Sequence, residues 1–367
     1  MKRLILGVVG LVTSLTLGLS VGVTASAKVY HQRSSALIWH RSRMVNDSKV
    51  HYVKVPRSYA HVRSSRGLNQ IKAVSGKKVT FKSRLLLPEP GKSNEAWGNP
   101  QSIALSKSGY MYIVYCPTKL KNRGRIVRFN MKRLEQLGVT QKPTELRQAY
   151  VKHHGKYSLL QRNIQQAIKA GGLFDTGHGQ SLAYNLKNHG LYMWRDNERA
   201  PRVPVSSTGY IQHISAKTLQ PTWAISFHLR SHGALIYGGH TLTFDKYGSA
   251  YFWDNPGDGA NIFKGKISPH HVVFRRTNQI LRRMPGTRLQ SMGYNPKRAR
   301  LYLVSDDSIA SFPAKRLNGH GSLSNGSFEW SGLTPKRETE GLAYDASGHG
   351  YLLSNHHPEV LVSTTVY

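Results

Sequence analysis

Acidic residues are scarce in this chain, and cysteine is almost absent. Of 367 residues, 18 are Asp or Glu against 52 Lys or Arg, which gives a formal net charge of +34 with 18 histidines neutral. A charge excess of this size does not select a fold, but it favours anionic polymers as partners. The single cysteine, Cys116, excludes an internal disulfide. It follows the apolar residues Ile113, Val114 and Tyr115, and is expected to pack as a small buried hydrophobe rather than act as a catalytic thiol. Beyond residues 4–23 no hydrophobic run is long enough to cross a membrane as a helix. Gly-rich phosphate loops and nucleophile elbows are missing as well.

Lys2 and Arg3 precede the apolar stretch 4–23, and Ala25, Ser26 and Ala27 are small residues suited to cleavage. The pattern predicts a secretory signal peptide over residues 1–27, and so a secreted, extracellular and cell-surface-associated protein. Residues 28–77 hold eleven Lys or Arg and one acid, Asp47, with weak apolar periodicity. They are expected to form a cationic, largely irregular N-terminal arm.

What the chain has in abundance is repetition. Five phrases begin at Gln101, Gln180, His240, Gln290 and Glu340, at spacings of 79, 60, 50 and 50 residues. Each is a five-residue alternating run, a turn rich in Gly, Asn, Ser and Lys, and a second run containing Tyr. Alternation bounded by turn residues predicts paired antiparallel strands. A third strand and a short turn follow in several repeats, ending in Leu134, Leu219 or Leu317, which is expected to plug the sheet edge. Four strands per repeat describe an all-β, five-bladed β-propeller over residues 78–367. A small helical insertion at about 140–172 explains the longest spacing, with Leu160, Ile164, Ala167 and Ile168 on one face. The last repeat lacks an outer strand. Residues 79–87 are expected to supply it, closing the ring and removing an open edge.

In such a fold the starts of the first strands and the ends of the second strands gather at one end of the channel. This groups Gln101, Gln180, His240, Gln290 and Glu340 with Asp196, Asp254, Asp306 and Asn355, and with His178 from a preceding loop. Converging amides, carboxylates and imidazoles suit a polar ligand. Trp194 and Trp253 are expected close by, placed to stack on sugar rings. Glycoside hydrolysis would need two carboxyls at a defined separation, for which Glu340, Asp254 and Asp306 are the candidates. The set is mainly amides, so binding is expected over catalysis. Residues 254–259 read Asp-Asn-Pro-Gly-Asp-Gly, part of a calcium loop without its downstream Glu, and are expected to be a plain turn. The adjacent histidines at 153–154, 270–271 and 356–357 would point to opposite faces of a strand and chelate poorly. Neither a metal nor a cofactor is expected.

Residues 238–244, Gly-Gly-His-Thr-Leu-Thr-Phe, resemble a segment of the helveticin J family of secreted bacteriocin-like proteins from lactic acid bacteria. The phrase beginning at Gln290 and leading to Leu301, Tyr302, Leu303 and Val304 is similar in style to that family's repeats. The resemblance covers the blade core, while the arm and the helical insertion depart from it. It implies a protein acting at bacterial surfaces and carries over no catalytic residues. The combined expectation is a monomeric cationic propeller held by charge on anionic cell-wall polymers or glycans, with no specific nucleic-acid partner. The alternative is a glycoside hydrolase.

Overall fold

The computed structural model describes residues 27–367 except 61–68, 90–96, 117–121, 197, 200–202, 205–206, 255–258, 287–289, 318–321 and 334–335. The expected leader and the turn at 255–258 lie outside the described residues. The chain is mostly β. Its larger sheets hold five, five, six and nine strands among the described residues.

The first sheet orders Asn99–Leu105, Tyr110–Cys116 and Arg123–Asn130, with Ile168–Ala170 and Phe174–Asp175 both pairing the outermost of these. The second runs Ala183–Asn185, Gly190–Trp194, Thr208–Ile214 and Pro221–His228. The third runs Thr243–Phe244, Ala250–Asp254, Ala260–Ile267 and Val272–Leu281. The nine-stranded sheet has two four-stranded halves. One is Ser291–Asn295, Arg300–Ser305, Ser308–Pro313 and Glu329–Leu333. The other is Thr339–Tyr344, Gly350–Ser354, Glu359–Ser363 and, as its outer strand, Thr80–Leu86.

The first strands of these units neighbour one another in turn, and Thr339–Tyr344 lies beside Asn99–Leu105. One small cavity, about 50 Å³, is lined from all of them, by Ala104, Leu182, Leu242, Met292 and Leu342 among others. Apolar cores fill the gaps between consecutive sheets. Val114 meets Leu191, and Trp194 meets Phe252. Trp253 packs with Leu303, and Tyr302 with Leu352. Leu353 and Val360 pack with Ile103 and Tyr115, which joins the end of the chain to the first sheet. Burying each sheet on both faces accounts for the nearly continuous apolar second strands, such as Gly190–Trp194, buried throughout. Leu134, Leu219 and Leu317 are all buried, as their recurrence predicts.

The arm has more fixed structure than its composition predicts. Lys28–His31 adds to the second sheet as a parallel edge strand, and Leu37–Ile38 and Arg43–Val45 add to the third. Gln70–Gly76 pairs with Glu329–Leu333 and with Thr80–Leu86, so it joins the two halves of the nine-stranded sheet. Open edges offer unpaired N–H and C=O groups to any extended segment, and pairing there needs no apolar periodicity. The helical insertion consists of Thr144–Gln148 and Leu159–Gln166, the second opened by a Ser158/Gln161 capping box. Ile164 and Gln161 face inward, whereas Leu160 is exposed, so the buried face differs by one residue from the one expected.

Candidate functional site

Repeat position fixes the polar cluster. Gln180, Gln290 and Glu340 each begin a first strand or the segment leading into one, and each is 1 % exposed. Gln180 Nε2 donates to Gln290 Oε1 at 2.8 Å and to Glu340 Oε2 at 3.0 Å. Gln290 Nε2 donates to Asp306 Oδ1 at 3.0 Å, and Asn355 Nδ2 donates to Glu340 Oε1 at 3.2 Å. Asp306 Oδ1 also accepts from the Thr339 N–H at 2.9 Å. Five of the expected residues thus form one connected network, sealed from solvent.

The other expected residues make contacts of their own. Gln101 bonds the carbonyl of its neighbour Pro100. Asp196 accepts from the His178 and Gly179 N–H groups and holds the loop entering the second sheet. Gly177, with φ +63°, belongs to the same loop; a Cβ there would stand 2.2 Å from Asp196 O. His240 is half-buried at the entry to the third sheet. Asp254 lies near Asn261 and Arg276, and burial pushes its carboxyl up to about 6.

The tryptophans correct the sequence expectation. Trp194 and Trp253 are each 1 % exposed and cannot stack on a sugar. Their indoles bridge neighbouring sheets instead, Trp194 Nε1 to Thr241 O at 3.0 Å and Trp253 Nε1 to Ser291 O at 3.3 Å. Trp194 also packs against Phe227, Phe252 and Phe274. Tyr115 is likewise core, in edge contact with Trp97.

The second residue of the phrase has a structural task. The Trp194 N–H donates to Ser181 Oγ, and the Trp253 N–H donates to Thr241 Oγ1. Ser102 Oγ ties the first sheet to the second through Gly179 O and the Leu182 N–H. These hydroxyls take over ladder bonds, which is why the regular first strands of the second and third sheets are shorter than the predicted runs. In the fifth phrase the residue is Gly341, where a Cβ would sit 2.8 Å from the Ile103 side chain.

One contributor escapes the repeat pattern. Tyr59, from the arm, donates its hydroxyl to Asp306 Oδ2 at 3.0 Å and stacks on His356 at 4.9 Å. Burial and then the Asp306 charge hold that phenol in its protonated form. His356 Nε2 lies 3.1 Å from Glu338. Asp307 follows Asp306 in the tight connection between Ser305 and Ser308, with φ +58°. Burial, then the Asp306 charge, push its carboxyl up to about 7, against the pull of backbone N–H groups of Arg337 and Lys336. Beside the network, Arg337 pairs with Glu359, both buried, and its Nη2 donates to Asn355 O at 3.2 Å. Cys116 is half-buried against the carbonyls of Arg123 and Gly177, and burial raises its thiol, which makes it a poor nucleophile.

No helix among the described residues is long and apolar enough to cross a membrane. No family model and no curated protein sequence matches the chain. Among solved structures it is similar to a glucose dehydrogenase, at 10 % identity over 80 % of this chain and 91 % of that one, with a TM-score of 0.38. A protein from Lactobacillus plantarum is similar at 12 % identity over 78 % and 76 % of the two chains, with a TM-score of 0.33. A periplasmic gluconolactonase from Pseudomonas aeruginosa is similar at 10 % identity over 70 % and 68 %, with a TM-score of 0.36. Likeness at this level assigns no activity to the chain.

Proposed function

We propose that this chain is a secreted five-bladed β-propeller whose cationic surface holds it on anionic cell-wall polymers or glycans, in a bacteriocin-like role at bacterial surfaces. The blade count is supported by the ring of neighbouring first strands and by the cores between consecutive sheets. The binding reading is carried by one observation, the unequal burial of the two signs of charge. Asp47, Asp196, Asp245, Asp306, Asp307, Glu340 and Glu359 are buried, whereas among the described residues the buried basic side chains are Arg300 and Arg337. The exposed acids among the described residues are Glu89, Glu135 and Asp175, each within 4.0 Å of an arginine. The surface is therefore more one-sided than the +34 total.

The test is retention of the purified protein on isolated cell walls along a salt gradient. Between roughly 0.1 and 1 M salt the Debye length falls from about 10 to 3 Å, and retention is expected to be lost. Retention that survives molar salt overturns the reading.

A hydrolytic reading draws on Asp307 and Asp254, carboxyls with raised proton affinity, and on Asp306 beside the first. Against it, Asp306 and Glu340 have their oxygens bonded by Gln180, Gln290, Asn355 and Tyr59. Asp254→Asn, Asp306→Asn and Glu340→Gln separate the two. A hydrolase loses turnover of its polysaccharide in at least one variant, whereas charge-driven retention barely moves.

A further inference from the structure

The first hairpin turns lie at the end of the ring opposite the buried network. Four of them carry an exposed lysine at the seventh or eighth place of the phrase: Lys107, Lys187, Lys246 and Lys297. The fifth turn has Ala346 and Ser347 there. The turns are fixed by short bonds to their opening residue. Ser106 Oγ accepts from the Tyr110 N–H, and Asn185 Oδ1 from the Lys187 N–H. Asp245 Oδ1 accepts from the Tyr247 N–H, and Asn295 Oδ1 from the Lys297 N–H.

Neighbouring turns also touch. A Cβ on Gly248 would stand 3.1 Å from Lys187 Cβ, and one on Gly348 would stand 2.9 Å from Lys297 Cβ. The Tyr294 phenol reaches the Lys246 backbone, and the Tyr184 phenol reaches that of Lys107. The lysine stems therefore rise from one continuous rim.

None of the four lysines forms an ion pair with an acid among the described residues. The acids nearest in sequence are engaged elsewhere. Asp245 is buried and accepts from two backbone N–H groups and the Tyr251 hydroxyl. Asp345 accepts from the His349 N–H and lies 3.6 Å from its ring. Beside Lys107 a groove of about 420 Å³ is lined by Ser106, Ser108, Tyr184 and His189, with the Tyr184 hydroxyl 3.0 Å from His189 Nδ1.

Resting on the binding function proposed above, we infer that this rim is the docking surface, and that its ligand is a linear polymer of phosphodiester-linked polyol or sugar units. Ammonium groups on flexible stems meet spaced single negative charges as point charges, with no demand for a bidentate carboxylate. The groove supplies an aromatic face and hydroxyls for the polyol or sugar unit between phosphates. Ala346 leaves the cations as an arc, which suits a chain lying across the end of the ring.

The experiment measures binding of labelled poly(glycerol phosphate) by anisotropy at several salt concentrations. The variant joins Lys107→Ala, Lys187→Ala, Lys246→Ala and Lys297→Ala. A charge-matched control joins Lys54→Ala, Lys142→Ala, Lys152→Ala and Lys336→Ala, all exposed, in the arm, in the helical insertion or beside Asp307. The rim variant is expected to bind at least about tenfold more weakly, with its log–log salt slope reduced by roughly 3. The control is expected to lose less than about threefold. Equal losses overturn the rim assignment and leave the polymer-binding function standing. Salt-independent or absent binding by the unmodified protein overturns both. Circular dichroism verifies that the variants fold, and a Lys→Gln version of the rim set, which keeps the stems, repeats the test if the alanine set does not.

Discussion

Gln180 donates to both Gln290 and Glu340, and it is 1 % exposed. Gln180→Ala leaves two buried acceptors short of a donor and is expected to cost about 2–3 kcal/mol. Gln101 holds the equivalent place in the first repeat but bonds only a local carbonyl among its side-chain donors, so Gln101→Ala should cost less than about 1.5 kcal/mol. Thermal unfolding of the two variants checks this, and equal losses would mean that the network adds nothing. Asp307 makes a second prediction. Its folded carboxyl keeps a proton up to about pH 7, whereas the ordinary value is 3.8. Its stabilising contribution is complete below about pH 4 and is lost as pH rises through 7. Asp307→Asn should remove that loss, so the variant gains stability relative to the parent between pH 5 and 8. A constant difference in unfolding free energy across that range would refute it. The central network is legible in the sequence because Gln180, Gln290, Glu340, Asp306 and Asn355 occupy equivalent places in a repeat, and repetition fixes place without knowledge of neighbours. The tryptophans mislead because alternation tells which residues share a strand face, not whether that face meets solvent or another sheet. Tyr59 has no repeat to align it, whereas Asp307 stands with Asp306 at the end of a second strand.

At the scale of elements, the arm shows how a segment without apolar periodicity acquires structure. Gln32 continues the edge pairing through its backbone, its N–H bonding Ser226 O on the second sheet. Its amide side chain then reaches the third sheet, where Nε2 donates to Val272 O at 2.9 Å and Oε1 accepts from the Val272 N–H at 2.7 Å. The side chain imitates a strand at the start of Val272–Leu281. Further along, the Arg276 guanidinium sits 3.4 Å from the Trp39 ring centroid and bonds His40 O. Nothing in the spacing of residues 28–77 signals these anchors, because each is a single side-chain contact between groups 236 or 240 residues apart in the chain. The hairpins behave oppositely, since strand, turn and return strand are adjacent and each carries its own alternation. Gln32→Ala should therefore behave as a core change despite lying in a basic, weakly patterned segment. It unpairs both polar groups of the buried Val272, for an expected loss of about 2–3 kcal/mol. Hydrogen exchange at the Val272 amide should quicken with it, and an unchanged rate would show that the arm lies on the sheet without holding it.

The whole molecule combines an inward set of acids with an outward set of bases, and this has a consequence for stability as well as for binding. Like charges spread over one surface repel, and the compact state bears that repulsion more than the extended chain does. In a protein with a balanced surface, salt weakens attractive pairs and leaves stability level or lower. Here the attractive pairs most able to resist salt are partly or fully buried, such as Arg298 and Lys77 on Glu329 and Arg337 on Glu359. What salt screens on the outside is mainly repulsion. Raising ionic strength from about 0.01 to 0.1 M shortens the Debye length from roughly 30 to 10 Å. The melting temperature should rise over that interval by roughly 1.5 °C or more, equivalent to about 1 kcal/mol in a chain of this size. Differential scanning calorimetry at a series of NaCl concentrations measures it. A melting temperature that stays level or falls with salt would mean that the exposed cations are compensated after all, and would remove the electrostatic basis for retention on anionic polymers.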